Sequence, residues 1–139
     1  MGDHQVVEPQ QESIASRDPS VDYGHELISS RRVEGTPVFG RSGERLGQIH
    51  SVMIEKRRGG VPYAVLEFGG FMGVGTHVHP IPWQLLTYDV DHDGYVVDMT
   101  KDQLARAPAM RLDDTDRPID RNYQERVSSY WGTMPWWGL

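Results

Sequence analysis

An acidic loop in the second half of the chain carries the spacing of a calcium-binding motif. Asp89, Asp91 and Asp93 occupy alternate positions and Gly94 follows, as in the first half of an EF-hand loop. The twelfth position of that loop needs a bidentate Glu, and here it is Thr100. Asp and Gly also favour hairpin turns. We therefore favour an acidic turn over a weak calcium site, and keep the three aspartates as candidate metal ligands.

Two histidines, His77 and His79, form a second candidate metal pair. Residues two apart on a strand share a face, but no carboxylate follows them at a fixed spacing, so a structural role is the simpler interpretation.

The chain has no Cys, which excludes disulfides, thiolate zinc sites and a cysteine nucleophile. The Gly-x-Ser-x-Gly pattern of hydrolases is also missing. We predict a protein that is not an enzyme and uses no cofactor.

A glycine-rich segment at residues 69–75 holds three large apolar side chains, Phe71, Met72 and Val74. Its Gly70-x-x-Gly73 spacing is that of part of a phosphate-binding loop, but the Lys-Ser/Thr ending and a following helix are absent. The apolar side chains either cover one end of a barrel or contact a second protomer. We treat all three as candidate interaction residues.

Basic residues gather at only two places, Lys56-Arg57-Arg58 and Arg31-Arg32. The whole chain of 139 residues has a net charge of −6, so we predict no nucleic-acid partner and keep RNA binding at Lys56–Arg58 as an alternative.

No apolar run approaches the roughly 20 residues that cross a bilayer. The N-terminus lacks the features of a secretory signal. We expect a cytoplasmic protein without a transmembrane segment.

The C-terminal residues are rich in aromatic side chains. Tyr130 and Trp131 lie on the apolar stripe of a short helix that Asp120 can cap, and Trp136 and Trp137 follow it. So short a helix is marginal alone and must pack on something. It either closes the barrel of its own chain or packs on a neighbouring subunit. We treat the four aromatic residues as candidate interaction residues and favour a homodimer, the commonest closed oligomer.

Short strands separated by glycine-rich turns dominate residues 36–97. Alternating apolar residues over 46–55 and 61–68 predict two strands joined by a hairpin turn at Gly59-Gly60. Gly47 inside the first run predicts a bulge or bend. We predict an all-β fold, a small, partly open β-barrel, followed by short C-terminal helices.

Three segments divide the chain. Residues 1–30 are a polar tail without apolar periodicity, 31–110 form the β domain, and 111–139 hold the C-terminal helix and aromatic tail. Near the end of the β domain, Thr100 and Gln103 predict a capping box at the start of a helix, which Pro108 ends.

The order of motifs in the central block resembles the PRC-barrel domain over about residues 30–110. The motifs are Leu46-Gly47-Gln48-Ile49, Val52-Met53-Ile54, Gly59-Gly60, Tyr63-Ala64-Val65-Leu66, Phe68-Gly69-Gly70-Phe71 and Pro82-Trp83. That family includes the extramembrane domain of the photosynthetic reaction-centre H subunit, a domain of a ribosome-maturation factor and stand-alone bacterial proteins. The aromatic end of this chain looks like the tail of the stand-alone members.

The resemblance implies a partly open barrel that acts as an adaptor or assembly module and carries no shared catalytic motif. The membrane anchor of the H subunit and the RNA-linked domain of the maturation factor have no counterpart in this sequence, so we transfer neither role. We expect a bacterial module that self-associates and binds an unknown protein partner. A barrel that binds a metal or small ligand, and a ribosome- or RNA-linked accessory domain, are the alternatives.

Overall fold

A computed structural model describes residues 26–68, 77–115 and 119–138 of the chain. Within these ranges the strands are β1 (Pro37–Phe39), β2 (Arg45–Met53), β3 (Tyr63–Phe68), β4 (His77–Pro82), β5 (Thr87–Asp89), β6 (Gly94–Val96) and β7 (Met110–Arg111). The helices are α1 (Ser30–Val33), α2 (Lys101–Arg106) and α3 (Arg121–Trp131), with 3₁₀ turns at Trp83–Leu85, Leu112–Asp114 and Trp136–Gly138.

The strands form one sheet in the order β5-β6-β1-β2-β3-β4-β7. Neighbouring strands run antiparallel except β1 and β6, which are parallel. The sheet curls, as the contact between Trp83, in the turn after β4, and Tyr95 of β6 shows: the two rings meet edge-to-face with 5.4 Å between their centroids. The two end strands, β5 and β7, do not pair with each other. The prediction of an all-β, partly open barrel with short helices is confirmed.

Bulges bend the long strand β2 where a glycine allows it. The register with β1 shifts between Val38, which pairs with Gly47, and Phe39, which pairs with Arg45. A side chain at Gly47 would collide with the backbone carbonyl of Glu67 on β3. The bend predicted at Gly47 is therefore present, because only a residue without a Cβ lets the two strands approach this closely.

Both faces of β3 are buried, although they face different neighbours. Ala64 and Leu66 belong to the apolar core inside the curled sheet. On the opposite face, Tyr63 and Val65 are also buried, at 3% and 0% exposure. α3 packs against β4 on this outer side, and its Val127 is fully buried. Successive residues of β3 therefore pack alternately into two apolar cores, one inside the barrel and one beneath α3.

The helix ends follow the predicted capping chemistry. The Thr100 hydroxyl accepts the Gln103 N–H at 3.1 Å, and the Gln103 side chain accepts the Thr100 N–H at 2.9 Å, which completes the capping box of α2. The Asp120 carboxylate accepts the Tyr123 N–H at 2.8 Å at the start of α3. Gly132 ends α3 with a φ of +70°, a conformation that favours glycine.

Some boundaries differ from those expected from the sequence. The strand predicted over 46–55 ends at Met53, because Glu55 takes part in the hairpin turn, and its partner begins at Tyr63 instead of residue 61. The short elements α1 and β7 were not predicted, since neither is long enough to show a hydrophobic period. Among the described residues, no helix has the length and apolar character needed to span a membrane.

Candidate functional site

An open groove of about 770 Å³ lies on the outer side of the barrel. One wall is the tip of the β2–β3 hairpin, from Glu55 to Val61. The other walls are the turn that follows β4, the first residue of α3, and residues 133–137. Segments that are far apart in the chain therefore meet here.

The hairpin tip is organised by the carboxylate of Glu55. Its Oε2 accepts the backbone N–H of Arg57 at 2.9 Å, and its Oε1 accepts that of Arg58 at 2.8 Å. These two hydrogen bonds are the main reason that the pKa of Glu55 is lowered. Gly59 has a φ of +85°, which allows the chain to turn back into β3. The tip thus has a defined shape, with Arg57 and Arg58 lining the groove.

Two indole rings and a guanidinium form the opposite wall. Trp136 and Trp137 meet edge-to-face, with 5.6 Å between their ring centroids. The guanidinium carbon of Arg121 lies 3.8 Å from the ring centroid of Trp137 and 5.9 Å from that of Trp136. Such stacking restricts the guanidinium but leaves the N–H groups at its edge able to donate hydrogen bonds.

The side chain of Gln124 joins this wall to the barrel. Its Oε1 accepts the indole N–H of Trp136 at 2.8 Å and the hydroxyl of Tyr63 at 3.4 Å. Its amide nitrogen donates to the backbone carbonyl of Ile119 at 3.1 Å. One amide on α3 therefore fixes the orientation of Trp136 relative to β3.

The groove combines positive charge with aromatic surface. Arg57, Arg58 and Arg121 line it, and Glu55 is the single carboxylate among the described lining residues. The carboxylate of Glu55 accepts two backbone N–H groups and also attracts Arg57 and Arg58, but one carboxylate against three guanidinium groups leaves an excess of positive charge. Burial raises the pKa of the lining hydroxyl of Tyr63, which keeps it neutral. These groups suit the binding of an anion beside an apolar surface.

The predicted aromatic cluster divides between the groove and the barrel. Trp136 and Trp137 line the groove, whereas Trp131 packs on the barrel core. The hydroxyl of Tyr130 donates to the backbone carbonyl of Gln103 on α2 at 2.6 Å. In this chain the aromatic segment therefore packs on its own barrel, and only its last two indoles line the groove.

The acidic turn between β5 and β6 supplies hydrogen-bond donors to the carboxylates of Asp89 and Asp93. Asp89 accepts the Asp91 N–H at 3.0 Å through Oδ1 and the His92 Nδ1–H at 2.6 Å through Oδ2, and the latter bond is the main cause of its lowered pKa. The hydroxyl of Tyr88 donates to Asp93 at 2.5 Å. Within the described ranges, no three His, Asp or Glu side chains form a group able to hold a metal ion.

The two candidate histidines lie in different environments. His77 is exposed at the start of β4, whereas His79 is buried. The Nδ1–H of His79 donates to the backbone carbonyl of Pro108 at 3.1 Å, and its ring meets Phe68 edge-to-face. Burial lowers the pKa of His79 and favours its neutral form. His79 thus connects β4 to the segment between α2 and β7.

Other predicted residues lie elsewhere. Phe71, Met72 and Val74 lie outside the described residues. Arg31 and Arg32 belong to α1, away from the groove. Sequence reasoning did not find Arg121, Gln124 or Tyr63, which complete the site. The signal available was indirect: an Arg and a Gln at the start of a short helix that precedes a pair of tryptophans.

Comparisons with known proteins agree with this architecture. The family model of the PRC-barrel domain matches residues 25–104, more than half of the chain. No curated protein matches the sequence. The matched range contains the strands β1 to β6 and most of α2, while α3 and the aromatic wall of the groove follow it. The chain belongs to the PRC-barrel domain family.

Proposed function

We propose that this protein is a non-enzymatic adaptor whose groove binds a segment of another protein. The observation that carries the proposal is the wall formed by Trp136, Trp137 and Arg121 opposite the arginines of the hairpin tip. Trp, Tyr and Arg are the residue types that contribute most binding energy at protein interfaces. Membership of a family with an adaptor role in other proteins supports the same function.

The chemistry of the groove supports binding over catalysis. Its carboxylate, Glu55, holds the backbone of the hairpin tip. Its hydroxyls include those of Tyr63 and Ser128, which share a hydrogen bond, and Thr133. The described lining residues include no histidine to act as a general base at neutral pH. The groups present can orient a partner, but they do not form a nucleophile paired with a base.

Site-specific photo-crosslinking tests this proposal. A photo-reactive amino acid at Gln84, which is exposed in the groove, should trap a discrete protein adduct in an extract of the native host. The same amino acid at Asp102, exposed on α2, is the matched control. An adduct that forms from Gln84 and not from Asp102 supports a groove-bound partner. Identical adducts from both positions, or none, would contradict it.

We also propose that the protein self-associates as a dimer. The sheet ends at β5 and β7, and within the described residues each of these strands pairs on one side only. Val90, beside β5, is 57% exposed. Open strand edges can pair with a second chain. Sedimentation at micromolar concentration should give twice the chain mass of 15.8 kDa, and a strict monomer would contradict self-association.

A further inference from the structure

The three arginines of the groove have no ion-pair partners among the described residues. Ion pairs in that part of the chain join Arg41 to Asp98, Arg106 to Asp102, Arg111 to Asp113 and His92 to Asp89, and none of these residues lines the groove. Arg121 instead stacks on Trp137, and the single lining carboxylate, Glu55, offsets only part of the charge of the three arginines. The groove is therefore a cationic patch on a chain whose net charge is −6.

The guanidinium of Arg121 is held on Trp137 in an orientation that suits the binding of a carboxylate. Its position 3.8 Å above Trp137 holds the planar group in place, and its charge also acts on Tyr63 at the base of the groove. A planar guanidinium matches the two oxygens of a carboxylate, and less conformational freedom is lost when the donor is already held. Trp136, oriented by Gln124, adds an apolar surface beside this charge.

The size and charge of the groove favour a peptide over a nucleic acid. A volume of about 770 Å³ accommodates a few residues of an extended chain. A longer polyanion such as RNA would extend beyond the three arginines over the rest of an acidic protein, where charge repulsion opposes it. In a short acidic segment, the negative residues are few enough to lie within the groove, away from the acidic remainder of the protein.

We propose that the groove binds a short peptide segment that carries Asp or Glu next to apolar residues, with Arg121 as the residue that pairs with its carboxylate. This inference rests on the proposed function and specifies the chemistry of the partner. The apolar residues of the segment contact Trp136 and Trp137, while Arg57 and Arg58 on the hairpin tip pair with additional carboxylates.

Selection from a random dodecapeptide library displayed on phage tests the inference without assuming a sequence. Peptides retained by the full chain should be enriched in Asp and Glu relative to the input library. A synthetic copy of the enriched sequence should bind in solution, and its dissociation constant should rise with salt concentration. Replacing its acidic residues with Asn and Gln should weaken binding by about tenfold or more.

Protein variants locate the interaction. Arg121→Ala should weaken binding of the synthetic peptide by about tenfold, and Arg121→Lys by less, because charge remains without the planar stack. Arg41→Ala removes the same charge outside the groove and should leave binding unchanged. If Arg121→Ala fails to fold, as judged by circular dichroism, the double variant Arg57→Ala, Arg58→Ala on the exposed tip serves as the second test. It too should weaken binding of the synthetic peptide, because both arginines pair with its carboxylates.

Each contrary outcome has a distinct meaning. Enrichment of neutral or basic peptides overturns the charge inference and leaves the proposed adaptor function intact. No enrichment overturns the inference, while the crosslinking experiment at Gln84 still decides the adaptor function. Tighter binding of an oligouridine RNA than of the acidic peptide, or full competition by millimolar inorganic phosphate, also overturns it, because either shows a site for phosphate.

Discussion

The two charged hairpin turns of this protein are built alike but differ in what surrounds them. In each, a carboxylate shapes the backbone: Glu55 accepts two N–H groups at the basic tip, and Asp89 accepts two hydrogen bonds at the acidic turn. The acidic turn packs against β1, where Phe39 contacts His92. The basic tip instead faces the aromatic wall of the groove. A charged turn becomes a candidate site only where a distant segment supplies the opposite wall.

The largest effect is expected in the free energy of unfolding, because the acidic turn is tightly packed and the basic tip is not. A Cβ at Gly94, which begins β6 after the acidic turn, would lie 2.6 Å from the Pro37 carbonyl oxygen and 3.1 Å from the Phe39 ring. Gly94→Val should therefore lower the free energy of unfolding by roughly 2 to 3 kcal/mol. Gly60→Val, in open space at the basic tip, should cost less than about 0.5 kcal/mol. Urea denaturation of both variants measures the difference, and equal losses would contradict it.

The next largest effect concerns the side chain of Gln124, which joins the aromatic wall of the groove to β3 and has no counterpart at the acidic turn. Gln124→Leu keeps the approximate volume but leaves the Trp136 N–H and the Tyr63 hydroxyl without this acceptor. We expect a loss of roughly 2 kcal/mol in unfolding free energy, together with weaker peptide binding as Trp136 loses its fixed orientation. Gln84→Leu, an exposed position in the same groove, is the control for stability. A Gln124 variant with unchanged stability and binding would show that the amide does not position Trp136.

A smaller, local effect is expected at the basic tip alone. Glu55→Ala should speed amide hydrogen exchange at Arg57 and Arg58 and leave Asp91 at the acidic turn unchanged, because each carboxylate holds only its own turn.

The same bonds give the wild-type tip a pH dependence. The pKa of Glu55 is lowered from 4.5 in the folded chain, so its stabilising contribution is present above pH 4.5 and is lost as pH falls through the lower folded value. As pH falls through that acidic range, nuclear magnetic resonance should show the exchange of both amides in the wild type becoming faster relative to the same amides in Glu55→Gln. A pH-independent rate ratio between wild type and Glu55→Gln would contradict this assignment.

The smallest effect is the one expected from adding metal to the acidic turn. Both oxygens of Asp89 and one of Asp93 accept hydrogen bonds within the turn, so a cation would compete with these donors. Calcium or zinc titration should therefore produce no heat and no change in melting temperature. Saturable chemical-shift changes confined to residues 89–94 would instead restore the metal-binding alternative for this turn.

Local chemistry in the sequence was sufficient to predict much of the framework. The bend at Gly47, the capping box at Thr100 and the cap at Asp120 each depend on residues within one turn or one strand pair, and all three are present. The period of the short elements α1 and β7 could not be recognised over two to four residues. The family resemblance, carried by the order of the strand motifs, is confirmed over residues 25–104.

The groove depended on contacts that no local pattern encodes. Tyr63 and Gln124 are 61 residues apart, and Arg121 meets Trp137 across the whole length of α3. The aromatic residues were visible in the sequence as a cluster, yet the structure separates Trp131, which packs on the core, from Trp136 and Trp137, which line the groove. Hydrogen bonds between sequence neighbours follow from residue type, whereas the walls of a site follow from how α3 packs against β4.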